Sequence, residues 1–206
     1  VLRVGMVAPE NLDPATGSND PEVLFNRTIY DYLIEVTPDG VLAPNLAYDW
    51  EISDDGLTYT FFLEDGVTFH DGSEMDAEDV AASIRRVQAD ATGSPLASRV
   101  TPIVEMNVVD PLTIELVLDA PFAPILTSLS GIAIVPAEYE DDVESLQQTP
   151  VGTGPFSFAD WAPNSYIDLA AFEGYHQDGQ PALEGLRFNF VPESATRQVG
   201  LASGDY

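Results

Sequence analysis

The stretch Tyr48–Leu63 leaves little freedom in how it folds. Leu57, Tyr59, Phe61 and Leu63 recur at every second residue and share one face, while Thr58, Thr60 and Glu64 point mostly to the other. A repeat of two is the repeat of a strand with one buried side. The preceding run, Tyr48–Ile52, is separated from it by Ser53-Asp54-Asp55-Gly56, whose glycine tolerates the positive φ of a tight turn. The pair predicts an antiparallel hairpin laid on a core. A second pair, Val104–Val109 and Leu112–Leu118, is joined through Asp110-Pro111, so the block from Val41 to about Leu118 reads as β-rich. Within it, Asp76-Ala77-Glu78-Asp79 predicts a helix start, with Asp76 as N-cap, acids in the first turn, and Val80, Ile84 and Val87 as the apolar stripe.

The flanking segments alternate strands with helices. Leu2–Ala8 reads as a first strand, followed by a turn-rich stretch from Pro9 to Asp20. Pro21 suits a first helical turn, and the spacing from Val23 to Ile34 predicts a helix to about Glu35. Phe122–Leu129 predicts a short helix, Ile132–Val135 a strand, and Pro136–Leu146 a helix whose Glu138, Glu140, Asp141 and Asp142 form a solvated face. Phe156–Trp161, Tyr166–Phe172 and Leu186–Val191 predict strands, and Glu193–Ala202 an amphipathic helix. That last strand–helix unit has no strand after it, which suggests an incomplete α/β sheet.

Charge excludes several partners. The chain of 206 residues has 35 acidic and 7 basic residues for a net of −28, and every basic residue is arginine. Such a surface repels nucleic acid and anionic lipid, which are bound by Lys and Arg neutralising phosphate. A cation-attracting field is one reading. Adaptation to high salt is the other, and it is favoured because the acids are scattered along the chain rather than clustered. No run approaches the roughly 20 apolar residues of a membrane span. With no cysteine, disulfides, thiolate metal sites and a cysteine nucleophile are excluded.

Catalytic and metal signatures are weak. His70, in Phe69-His70-Asp71-Gly72, and His176 both read as loop histidines bonding locally, and no second nitrogen lies at metal spacing. No Gly-x-Ser-x-Gly elbow occurs. Asp13, Asn19, Asp20 and Glu22 have the oxygens for a hard cation, but their spacing fits no calcium loop and helix capping explains them more simply. Val151-Gly152-Thr153-Gly154-Pro155-Phe156 fails as a phosphate loop, because Pro155 lacks the N–H such a loop needs and no lysine follows. It predicts a tight turn feeding a strand. Trp50 and Trp161 could stack on a ligand, although packing accounts for them better. The residues predict no cofactor, no metal and no enzyme activity.

In chain order, several stretches resemble the family-5 extracellular solute-binding proteins of ABC importers, of the oligopeptide-, dipeptide- and nickel-binding type. They are Leu12-Asp13-Pro14-Ala15; Leu42-Ala43-Pro44-Asn45-Leu46-Ala47 running into Trp50–Phe61; Gly66-Val67-Thr68-Phe69-His70-Asp71-Gly72; Asp76-Ala77-Glu78-Asp79-Val80; Pro150–Phe156 with its Gly-Thr-Gly-Pro turn; and Ala195-Thr196-Arg197 with Leu201–Asp205. The resemblance covers essentially the whole chain. It departs where the family usually places Lys or Arg after the hairpin, since Leu63 is followed by Glu64.

The resemblance implies a mixed α/β fold, a periplasmic-binding-protein-like class II lobe with an inserted β-rich subdomain and the second lobe absent. Residues 1–40 and 147–206 would form the incomplete α/β part and 41–146 the insertion. It implies capture of a small solute, with peptide leading and nickel, a nickel chelate or an oligosaccharide behind, and delivery to a membrane permease by closure of two lobes. A sensor or interaction domain on the same fold is the alternative. The expected location is extracytoplasmic, in the periplasm or as a cell-surface lipoprotein, and the expected full-length state is a monomer. In peptide-binding members the charges that pair with ligand termini lie largely in the second lobe. The ligand contacts expected from this lobe are Asn11, Leu12, Asp13, Ser18 and Asn19 after the first strand, and Ser130, Gly131, Ile132 and Ala133.

Overall fold

The hairpin forms where the alternation places it. In the computed structural model, which describes residues 1–206, β4 (Ala47–Ile52) pairs with β5 (Thr58–Leu63) across a turn in which Gly56 has φ +69°. Antiparallel pairing continues through β7 (Thr113–Leu118) to β6 (Ile103–Asp110), in the order β4-β5-β7-β6. Phe61 stands opposite Ile114 and Tyr59 opposite Leu116, and all four are buried. Helix α2 (Ala77–Gln88) covers this sheet with Val80, Ile84 and Val87. Its start is a reciprocal cap, in which the Asp76 carboxylate accepts the N–H groups of Glu78 and Asp79 and the Asp79 carboxylate accepts that of Asp76.

A second four-stranded sheet has the order β1-β10-β9-β8. Strands β8 (Phe156–Ala162), β9 (Tyr166–Ala171) and β10 (Gly185–Phe190) are antiparallel neighbours, and β1 (Leu2–Met6) closes the edge parallel to β10. Helix α1 (Asp20–Ile29) packs beside β8, and the Phe25 and Phe188 rings meet edge-to-face at 6.1 Å. Helix α5 (Ser194–Ser203) lies against β1 and ends in a left-handed Gly204. Both indoles, Trp50 and Trp161, pack against the core.

Four expected elements differ. Helix α1 stops at Ile29 and not near Glu35, because the Ile29 carbonyl accepts the N–H of Gly154 at 2.9 Å and Tyr30 turns into extended backbone. Ile34–Val36 then forms β2, paired with β3 (Leu42–Pro44). The Gly-Thr-Gly turn is pressed onto the helix end, where a Cβ at Gly152 or Gly154 would fall 2.4 or 2.6 Å from the Ile29 carbonyl oxygen. Ile132–Val135 is not a strand beyond a single bridge from Ala133 to Tyr32. Its backbone groups bond elsewhere: Val135 exchanges two hydrogen bonds with the Ser83 hydroxyl, and Ile134 donates to the Asp31 carbonyl.

Pro136–Leu146 is not a helix but two short 3-10 turns, Ala137–Tyr139 and Ser145–Gln147. The reason is Arg86, whose guanidinium takes the carbonyls of Tyr139 and Asp142. Nor is the acidic run a purely solvated face, since Glu140 pairs with Arg85 at 2.7 Å and the Asp142 carboxylate accepts the N–H groups of Glu144 and Ser145. The Phe122–Leu129 helix is shorter than expected, with α4 spanning Ile125–Leu129.

Candidate ligand-binding site

The chain leaving β1 is held by its own side chains. Asn11 Oδ1 accepts the N–H of Asp13 and the hydroxyl of Thr16, both at 3.0 Å. Leu12 is buried, and Asp13, also buried, accepts a two-pronged contact from the Arg86 guanidinium at 2.8 and 2.7 Å. The Glu22 carboxylate gathers the N–H groups of Glu10, Ser18 and Asn19, and Asn19 caps α1 in return. The acids of this loop therefore serve capping and one ion pair.

A pocket of about 180 Å³ lies where this loop meets the segment after α4. Ser18, Gly131 and Ala133 line it together with Asn26, Arg27, Tyr32 and Arg99. The other residues singled out from sequence stand behind the wall. Asn11, Leu12 and Asp13 shape the loop, Asn19 caps α1, Ser130 donates to the Thr127 carbonyl, and Ile132 is buried. The two segments are thus brought together, with Ser18, Gly131 and Ala133 at the surface of the pocket.

Arg27, Arg99, Asn26 and Tyr32 were not singled out in the sequence. Arg27 rises from α1 and lies over the Tyr32 ring, 5.1 Å from its centroid. Burial pushes the Tyr32 hydroxyl up to about 12, with Arg27 acting in the opposite sense. Arg99 belongs to the short helix α3 (Ala97–Val100), and a Cβ on Gly131 would come within 2.8 Å of its Nη1, so glycine admits the guanidinium. Arg85, Arg86 and Arg187 each hold a carboxylate, whereas Arg27 and Arg99 hold none within 4.0 Å. Arg27 and Arg99 thus bring two guanidiniums without a carboxylate partner to one pocket, and Arg3 and Arg197, also without one, do the same at a pocket beside β1 and α5. The signal in the sequence was the scarcity of cations itself.

Beyond Tyr32 a second polar pocket surrounds Asp31, a buried carboxylate. It accepts Thr153 Oγ1 at 3.3 Å, faces His176 Nε2 at 3.3 Å, and has Asn45 Nδ2 at 3.4 Å and the Tyr175 hydroxyl at 3.5 Å. Burial, followed by the charge of Asp31, raises the Tyr175 hydroxyl above its ordinary value, so it remains a donor. Neither histidine bonds locally. His70 reaches across 84 residues to the Gly154 carbonyl at 2.9 Å through Nε2, and Nδ1 accepts the Gly152 N–H at 3.3 Å. That pairing needs the neutral ring protonated on Nε2, and burial accordingly lowers its proton affinity. These contacts fix the Gly-Thr-Gly turn and the residues after α1, and hence the wall that carries Tyr32. No three His, Asp or Glu side chains are grouped as metal ligands.

Residues 41–206 match the family described as bacterial extracellular solute-binding proteins, family 5 middle. The glutathione-binding protein GsiB of Salmonella paratyphi A is 30% identical over 197 residues, which are 94% of this chain and 38% of that protein. GsiB of Escherichia coli K12 is 29% identical over the same span. Among solved structures, AgaA of A. tumefaciens R10 with agropinic acid superimposes with a TM-score of 0.94 at 29% identity, covering 99% of this chain and 42% of AgaA. DppA of Helicobacter pylori with the peptide STSA gives a TM-score of 0.88 at 28% identity, covering all of this chain and 45% of DppA. The chain spans about two fifths of the length of these relatives.

Proposed function

Since this chain belongs to the family-5 bacterial extracellular solute-binding proteins, whose members bind solutes and are not enzymes, we propose that it forms one lobe of the solute-binding component of an ABC importer. The proposed solute is a short peptide, captured outside the cytoplasmic membrane and handed to the permease without chemical change. The observation that carries this reading is the pair Arg27 and Arg99, without carboxylate partners and facing one pocket in a chain of net charge −28. Glutathione and the peptide STSA both end in carboxylates, the group that two guanidiniums hold well. Residues 1–40 and 147–206 would act as the α/β part of the lobe and 41–146 as its insertion. Solute held between this wall and a second lobe favours the closed state, which the permease reads. Attachment as a lipoprotein and adaptation to high salt belong to the same proposal.

Amide-detected NMR of the 206-residue chain titrated with trialanine tests it. Saturable shifts at Ser18, Arg27 and Gly131 are expected, lost in the Arg27→Gln/Arg99→Gln variant. Shifts unaffected by that double substitution would sink the reading. Calorimetry should show weak binding, since half of the cleft contributes; tight one-to-one binding by this chain would contradict closure between two lobes.

A further inference from the structure

One side chain that holds the Gly152-Thr153-Gly154 turn changes its bonding in mild acid. The His70 ring stands between the two glycines, with Nε2 2.9 Å from the Gly154 carbonyl oxygen and Nδ1 accepting the Gly152 N–H at 3.3 Å. A neutral ring protonated on Nε2 serves both bonds, whereas a charged ring has two donors and no acceptor. Protonation therefore sets a second N–H against that of Gly152 and replaces an attraction by a repulsion. The backbone bond from the His70 N–H to the Gly152 carbonyl, 2.9 Å, does not titrate and keeps the turn attached. What the ring governs lies one step further on. Gly154 donates to the Ile29 carbonyl and Thr153 reaches the Asp31 carboxylate. Tyr32 follows at once, in the wall of the pocket that Ser18, Arg27 and Gly131 also line. The glycines fit so closely against Ile29 that a small displacement of the turn is felt there.

We propose that His70 is an acid-operated latch on this wall, which releases the Gly-Thr-Gly turn and the segment carrying Tyr32 when its ring is charged. Letting go of solute on acidification rests on the carboxylate-binding reading above; the movement of the wall does not. His70 does not line the pocket and acts through the turn, as a positioning residue. Its surroundings set the range. Burial disfavours the charged ring, while the Gly154 carbonyl and the carboxylates of Asp31 and Asp71 favour it, and burial prevails. Residues 150–156 contain no titratable side chain, and the connection after β9 meets the ring with Phe172, edge-to-face at 4.9 Å. Tyr175 and His176, from that same connection, face Asp31 instead. The proton affinity of the ring is lowered in the latched state and ordinary in the released one, so release is favoured as pH falls below 6.5. By the same linkage, solute held against the latched wall keeps the ring neutral.

Amide-detected NMR of the ligand-free 206-residue chain, titrated from about pH 7.5 to about pH 5, tests the latch directly. Carboxylates ordinarily stay ionised over that range, and Asp79, raised by burial, is present in every protein compared. The amides of Gly152, Gly154 and Tyr32 should move together with the His70 ring, at a midpoint below 6.5. Titration of His70 with the Gly152 and Tyr32 amides unmoved would overturn the proposal. N-acetyl-trialanine, which has a carboxylate and no amine, should bind about fivefold more weakly at the acid end than at the neutral end. His70→Gln should remove that dependence, whereas His176→Gln, which alters only the partner of Asp31, should keep it. Equal affinity at both ends, or a dependence that survives His70→Gln and disappears in His176→Gln, would sink the release of solute through His70. Failure of N-acetyl-trialanine to bind at either end would remove the carboxylate reading, and the amide titration then decides the latch by itself. That titration needs only the native chain, so it stands even if a variant fails to fold.

Discussion

The two four-stranded sheets are held in different ways. In β4-β5-β7-β6 both hairpins join neighbours in sequence, the buried face is an alternating apolar row, and α2 covers it with a conventional cap. In β1-β10-β9-β8 the edge strand pairs Leu2 with Leu186, so the sheet closes only after nearly the whole chain has been placed. The seam beside this second sheet is polar. It contains the Asp13–Arg86 pair, the Asp31 cluster and the His70 contacts to Gly152 and Gly154. Hydrophobic alternation suffices for a local sheet. A wall assembled from distant segments is positioned by directional bonds, and the candidate site is built on that wall.

The contrast is broken most severely at Arg86. Arg86→Met leaves the Asp13 carboxylate buried without a partner and frees two carbonyls, and should cost about 3–5 kcal/mol in urea unfolding. Asp13→Asn added to it should recover part of that loss, because the stranded charge is gone. Gly154→Ala tests the seam by volume. Its Cβ would overlap the Ile29 carbonyl, with an expected cost of about 1–3 kcal/mol and loss of pocket shifts on ligand titration, whereas Gly66→Ala, strained by its φ of +74° but touching no neighbouring atom, should cost about 1 kcal/mol and leave the pocket shifts unaltered.

A smaller effect separates the regions by pH. His70 has a folded-state value below its ordinary 6.5, so the unfolded chain binds more protons as the solution is acidified. Stability is therefore full above 6.5 and declines as pH falls through the lowered folded value. His70→Gln, neutral throughout, should flatten this dependence in thermal melts. Asp79, whose value burial raises, contributes the opposite trend at more acidic pH in both proteins and cancels in the comparison. The smallest expected effect is shared by both sheets. Molar NaCl should raise Tm by screening the net charge of −28, and a Tm unchanged or lowered by salt would end the high-salt reading.

Legibility in the sequence follows the same division. The hairpin at Ser53–Gly56 and the cap at Asp76 were readable because their partners lie within a few residues. The end of α1 was not, since what stops it at Ile29 is a glycine turn more than 120 residues away. His70 looked local for the same reason. Of the candidate site, the two backbone segments were expected from family resemblance and meet at one pocket, while Asn26, Arg27 and Arg99 were hidden in ordinary helical spacing. What marks them is a missing partner, a feature that Arg3 and Arg197 share, and it is visible only when every neighbour in space is known.

The Arg86 fork has a consequence for descent as well as for folding. One guanidinium grips the loop after β1 and the turns near Tyr139, so neither position 13 nor position 86 can drift alone without stranding a buried charge. A lineage that loses one must replace the other almost at once, or pass through a form that scarcely folds. Sites 13 and 86 should therefore be inherited as a unit among diverging homologues, while Arg27 and Arg99, bound to no carboxylate, can be exchanged without stranding a buried charge.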